Sequence, residues 1–116
     1  MKVNENFFYS IFVLFSSKDF KPFHVGLSPD SAEVALQKLF SETFSGKKSS
    51  LNKVIKKNWE QGHEILAHEI QSEVEKKDSK KMLKYWQNEF NKKGDSIYLG
   101  DTFSKAMQKE FEINFH

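Results

Sequence analysis

Cysteine and arginine are both absent from this chain of 116 residues. Without cysteine there is no disulfide framework and no thiolate metal site. The 18 positive side chains are all lysine. Lysine meets a phosphate as a point charge, but it lacks the planar fork that grips phosphate or guanine with two hydrogen bonds. Proline occurs twice and glycine five times, too few for a collagen-like or linker-like chain. No apolar run approaches the roughly 20 residues that cross a bilayer. The opening Met1–Asn6 is charged and is followed by a short apolar stretch without an Ala-x-Ala-like cleavage site, unlike a signal peptide. These absences predict a cytoplasmic protein.

Twelve phenylalanines supply most of the expected core; each buries roughly 150–250 Å². A chain of this length is expected to form one domain, 1–116, with a core that needs neither metal nor disulfide. The net charge of +2 is weak, but its distribution is uneven: no acid interrupts residues 43 to 59, which carry Lys47, Lys48, Lys53, Lys56 and Lys57.

Phe7 to Phe15 is rich in aromatic and β-branched residues and reads as a buried strand. Ser16-Ser17-Lys18-Asp19 is a turn cluster. Phe20 to Gly26 is a second strand, with Pro22 suited to an edge or a strand start, so the pair predicts a hairpin. Ser28-Pro29-Asp30 has the pattern of a helix start, and Ala32, Ala35, Leu36, Leu39, Phe40 and Phe44 share one helical face up to Gly46. A second helix is expected after Ser49 or Ser50, with Leu51, Val54, Ile55 and Trp59 inward and Gly62 as its stop. His63 to Ile70 reads as a third strand, and the polar stretch Gln71–Asp78 as loop or frayed helix. Ser79 is placed as the cap of a third helix running through Lys93, with Met82, Leu83, Trp86 and Phe90 inward and Gly94 ending it. Ile97 to Leu99 is a short apolar piece. Asp101 or Thr102 is expected to cap a last helix with Phe103, Ala106, Met107 and Phe111 inside, and Ile113 and Phe115 to close as a strand. The order β-β-α-α-β-α, with a C-terminal helical extension over 102–116, predicts an α+β fold: a small antiparallel sheet flanked by helices.

The first strand carries Ser10-Ile11-Phe12 and, after eleven residues, the second carries His24-Val25-Gly26. This pair, the helix that follows it and the turn Asn58-Trp59-Glu60-Gln61-Gly62-His63 together resemble the GIY-YIG nuclease domain over residues 7 to 101. In that family two tyrosines, an arginine and a glutamate surround a divalent metal such as Mg²⁺, often with a terminal asparagine. The glutamate holds the metal, the arginine steadies charge on the phosphate and a tyrosine prepares the water. By position the resemblance carries the tyrosines to Phe12 and His24, the arginine to Val34, the glutamate to Trp86 and the asparagine to Gly100 or Asp101. His24 alone retains a group that moves protons. The resemblance therefore implies a fold that has lost its cutting chemistry and needs no cofactor. Glu89, three residues after Trp86 and nearly on the same helix face, and Lys38, one turn after Val34, are the substitutes a divergent Mg²⁺-dependent nuclease would use.

His63 and His68 are five apart, an odd offset that puts them on opposite faces of a strand and argues against a shared metal. The Lys47–Lys57 cluster either tracks a phosphate backbone or is a solvated helix face. Trp59 either stacks on a base or, by its spacing from Ile55, packs in the core. Glu73 to Lys84 reads as a solvated stretch with i,i+4 pairs, and Phe7, Phe8 and Phe12 as core. Two functions follow as expectations: a non-catalytic module that binds nucleic acid through the lysine face, or a small inhibitor that acts by protein contact. Phage and mobile elements carry inhibitors of that second kind against host defences and nucleases, and immunity proteins act similarly.

Overall fold

The computed structural model describes residues 8–92 and 99–114. The fold is α+β. Strands β1 (Phe8–Ser16), β2 (Pro22–Ser28) and β3 (Ile65–Glu75) form an antiparallel sheet in the order β2-β1-β3, with helices α1 (Ala32–Phe44), α2 (Ser50–Glu60), α3 (Lys76–Asn91) and α4 (Leu99–Asn114) around it. No helix among the described residues is long and apolar enough to cross a membrane.

Side chains of a strand alternate between faces, and β1 is apolar on both. Ile11, Val13 and Phe15 pack with Val25, Phe90 and Phe103 on the side covered by α3 and α4. Phe12 and Leu14 pack with Ala32, Leu36 and Leu51 on the side covered by α1 and α2. The turn between β1 and β2 is held by Phe20, whose φ of 58° is unusual for a bulky residue. Its ring packs on Phe15 and on Phe111 of α4, at centroid distances of 6.4 and 5.2 Å.

Several element boundaries differ from the sequence reading. Helix α1 starts at Ala32 and is capped by Ser31, whose hydroxyl accepts from the Val34 N–H at 3.2 Å. Ser28 instead ends β2, and its hydroxyl accepts from the Asp30 N–H in the turn. Gly46 and Gly62 lie just past the caps of α1 and α2 at φ of 107° and 80°, a region closed to most other residues.

The polar stretch from Gln71 is strand as far as Glu75, and α3 follows without a loop. Its polarity hides it because two register shifts against β1, between Tyr9 and Phe12, break the alternation. Glu73 takes a left-handed φ of 55° there, as β-bulges allow. Ser79 sits in the first turn of α3 and donates to the Lys76 carbonyl at 2.8 Å.

Ile113 is helical and 68% exposed, not a closing strand, and Ala106 faces solvent. Phe8, read as core, is half-exposed at the start of β1. Phe7, Gly94, Ile97 and Phe115 lie outside the described residues.

The inner side of α2 is Ile55 and Asn52, not Val54 and Trp59. Ser49 and Asn52 close a reciprocal capping box. Asn52 Nδ2 then donates to Thr43 Oγ1 at 2.8 Å, and Thr43 Oγ1 donates to the Leu39 carbonyl at 2.7 Å. This buried chain ties α2 to α1. Asn52→Ala removes the side-chain half of the box and the bond that Thr43 Oγ1 accepts, and we predict a loss of about 1–3 kcal/mol, read as the urea midpoint. Asn52→Ser, which keeps a short polar side chain, is expected to lose less.

Candidate functional site

The sheet face under α1 gathers most of the positions that the resemblance selects. β1 and β2 pair with Phe12 opposite Gly26 and Leu14 opposite His24, so Phe12, His24 and Gly26 share one face. The Phe12 and His24 rings lie 5.9 Å apart, tilted by 53°. Both lean over Gly26, where an added Cβ would stand 2.6 Å from Phe12 Cζ and 2.7 Å from His24 Nε2. Above them α1 contributes Val34 and Lys38. These residues, with Asp30, Leu39 and Glu42, line an open cavity of about 210 Å³.

Trp86 is not part of this group. It packs against the cluster on the opposite sheet face and donates from Nε1 to Gln71 Oε1 at 2.7 Å. Glu89 shares α3 with Trp86 and lines neither of the two cavities that His24 borders. Asp101 is exposed in the first turn of α4, beside buried Gly100.

Of the carried-over positions in this cavity, His24 alone has a metal-donor atom on its side chain. Phe12, Val34 and Trp86 carry no oxygen donor, and among the described residues no three His, Asp or Glu side chains come close enough to share one. Burial lowers the His24 pKa below its ordinary 6.5, because the charged imidazolium loses hydration. Neutral His24 can still accept or donate a hydrogen bond.

His63 precedes β3, and His68 lies within it, its ring edge-on to Phe103 at 5.7 Å. They do not form a pair.

The lysines lie on a second surface. Helix α2 is fastened to the end of β1 by Asn58, whose Oδ1 accepts from Ser16 Oγ at 2.7 Å. The Asn58 amide nitrogen donates to the Val54 carbonyl at 2.9 Å. With Ile55 and Asn52 inward, Lys53, Lys56 and Lys57 are solvent-exposed. No carboxylate among the described residues pairs with them; Lys47 alone of the five meets one, Glu42, at 3.6 Å. Lys57 also faces the β1–β2 turn across an open cleft of about 320 Å³, lined by Lys18, Lys21, Asp19, Val54 and Asn58.

Lys18 and Lys21 extend the lysine face, and the sequence reading did not select them. They are thirty-odd residues away in the chain, and only the hairpin geometry brings them beside α2. Trp59 is the other revision: it is 60% exposed.

No protein-family model, curated protein or solved structure matches this chain.

Two outcomes follow from the cavity floor. Gly26→Ala forces the buried Phe12 ring to move, and we expect a stability loss of about 1–3 kcal/mol by chemical denaturation. The depressed His24 pKa means that protonation disfavours the fold. Its stability contribution is intact above pH 6.5 and is lost as the pH falls from there through the lower folded value. The stability difference between wild type and His24→Gln should therefore shift against wild type between pH 8 and pH 5. An unchanged difference would contradict the assigned burial.

Proposed function

We propose that this protein is a non-catalytic nucleic-acid-binding module, a GIY-YIG-like fold whose cutting residues have been replaced. The observation that carries the reading is the lysine surface. Lys53, Lys56 and Lys57 project from one helix without acidic partners among the described residues, and Lys18 and Lys21 continue the surface across the cleft. Point-charge contacts of this kind hold phosphates and release counterions. With no arginine in the chain, guanine loses its commonest bidentate partner. Binding with little sequence preference follows.

The replaced positions support the non-catalytic half of the proposal. Phe12 and Val34 make the cavity wall apolar where the family places a phenol and a guanidinium, and Trp86 lies across the sheet from them. His24 remains, and among the described residues Lys38 is the cation that lines its cavity.

The test is fluorescence anisotropy of labelled oligonucleotides from low to physiological salt, with Mg²⁺ present and the DNA recovered on a gel. Each phosphate contact should add about 0.9 to the slope of log affinity against log salt on duplex DNA. Changing Lys53, Lys56 and Lys57 together to Glu should flatten that slope by about 2–3 and weaken binding at least tenfold. Normal binding by this variant would refute the lysine-face reading. Cleaved DNA whose cleavage disappears in Glu89→Ala would establish the divergent nuclease instead. No binding even at low salt would leave inhibition of a protein target as the surviving function.

A further inference from the structure

One aromatic surface has no counterpart inside the fold. Phe40 and Phe44, one turn apart on α1, have parallel rings with centroids 6.2 Å apart. The Trp59 indole of α2 stands edge-on to Phe44 at 5.0 Å. The outer two members of this row are largely in water: Phe44 is 50% and Trp59 60% exposed. Large aromatic surfaces contribute most when buried, so folding alone gains little from holding two of them at the surface. The rings brace each other, and α1 and α2 are locked together beneath them by the Asn52–Thr43 hydrogen bond. The surface is therefore ordered before any partner arrives, which lowers the entropic cost of binding.

Cations border it. Lys47 and Lys48 follow Phe44 directly after the helix cap, and Lys56 precedes Trp59 by three residues, on the neighbouring line of the same helix. Glu42 is met by Lys47, and Glu60 is the one acid on α2. From Trp59 the lysine face continues around α2 through Lys56 and Lys53 to Lys57 and the cleft with Lys18 and Lys21. A helix is only about 10–12 Å across, so a short strand can span it.

We infer that Phe44 and Trp59 form a stacking platform for unpaired bases, so that the nucleic acid held by the lysine face is single-stranded. The inference rests on the nucleic-acid reading above and specifies its substrate. Alternating aromatic faces and phosphate-neutralising lysines are what single strands require: bases stack on the rings without sequence preference while the backbone follows the charge. In a duplex the base faces are already covered by their neighbours, so a duplex gains nothing from Trp59. A protein partner would also find an aromatic patch, but a surround of lysines suits a polyanion better.

The experiment compares an oligothymidylate of about 12 nucleotides, within the range single-strand binders cover, with a duplex of equal length. Wild type should prefer the single strand. Trp59→Ala and Phe44→Ala should each weaken single-strand binding about tenfold and leave duplex binding within twofold. Trp59→Phe should retain most of the affinity, while the quench of tryptophan emission on binding is lost. Both residues are exposed, so thermal midpoints should stay near wild type. Single-strand affinity unchanged in Trp59→Ala overturns the platform and leaves the lysine face standing if the triple Glu variant still binds at least tenfold more weakly. Absence of any nucleic-acid binding by wild type overturns both. A concentration-dependent dimer in sedimentation that Trp59→Ala dissolves would assign the patch to a second copy of the chain and also overturns it.

Discussion

The constraint on which the rest depends is that β1 is hydrogen-bonded on both edges and apolar on both faces. Ile11, Val13 and Leu14 are completely shielded from water, and Phe12 and Phe15 nearly so. A strand in that position needs cover above and below, and the four helices divide into two pairs to provide it. That division fixes the geometry of both candidate surfaces. Odd-numbered residues of the strand commit to α3 and α4, even-numbered ones to α1 and α2. Phe12 and His24 consequently face α1, and Trp86 faces away from them. The lysine helix belongs to the first layer, beside the cavity but opening on a different side.

The fold was legible where local chemistry is strong. The run from Phe8 to Phe15, the hairpin, the apolar face of α1 and an α2 start after Ser49 or Ser50 needed only periodicity and capping residues. It was least legible where tertiary bonds override composition. Asn52 is polar in the middle of a buried stripe because it finishes a capping box and tethers α1. Trp59 shares the face of Ile55 and Asn52 on α2, yet it is 60% exposed because it sits in the last turn, where its ring meets the end of α1 at Phe44. The second half of β3 reads as loop or frayed helix because two register shifts interrupt its alternation.

The candidate site divides along the same line. Phe12, His24 and Val34 could be brought to one cavity by strand pairing and helix placement, both of which the tripeptide spacing implies. Trp86 could not be placed from the sequence, since position along α3 says nothing about which sheet face the helix covers. Lys53, Lys56 and Lys57 were visible as an acid-free run. Lys18 and Lys21 were not, because their relation to Lys57 exists only after the hairpin folds over. The exposed state of Phe44 and Trp59 is likewise a property of how two helix ends meet.

The two outer strands of the sheet have a bearing on how this molecule meets others. A free strand edge offers unpaired N–H and C=O groups to any passing chain. On β2 the Val25 carbonyl is taken by Gln87 Nε2 at 3.3 Å. On β3 the bulges disturb the spacing of the backbone groups, and exposed Glu69, Glu73 and Glu75 surround them with negative charge. Neither border makes a good template for strand addition. Contacts with other molecules are thereby left to side chains rather than strand edges, and the irregularity that conceals β3 in the sequence also blunts its exposed border.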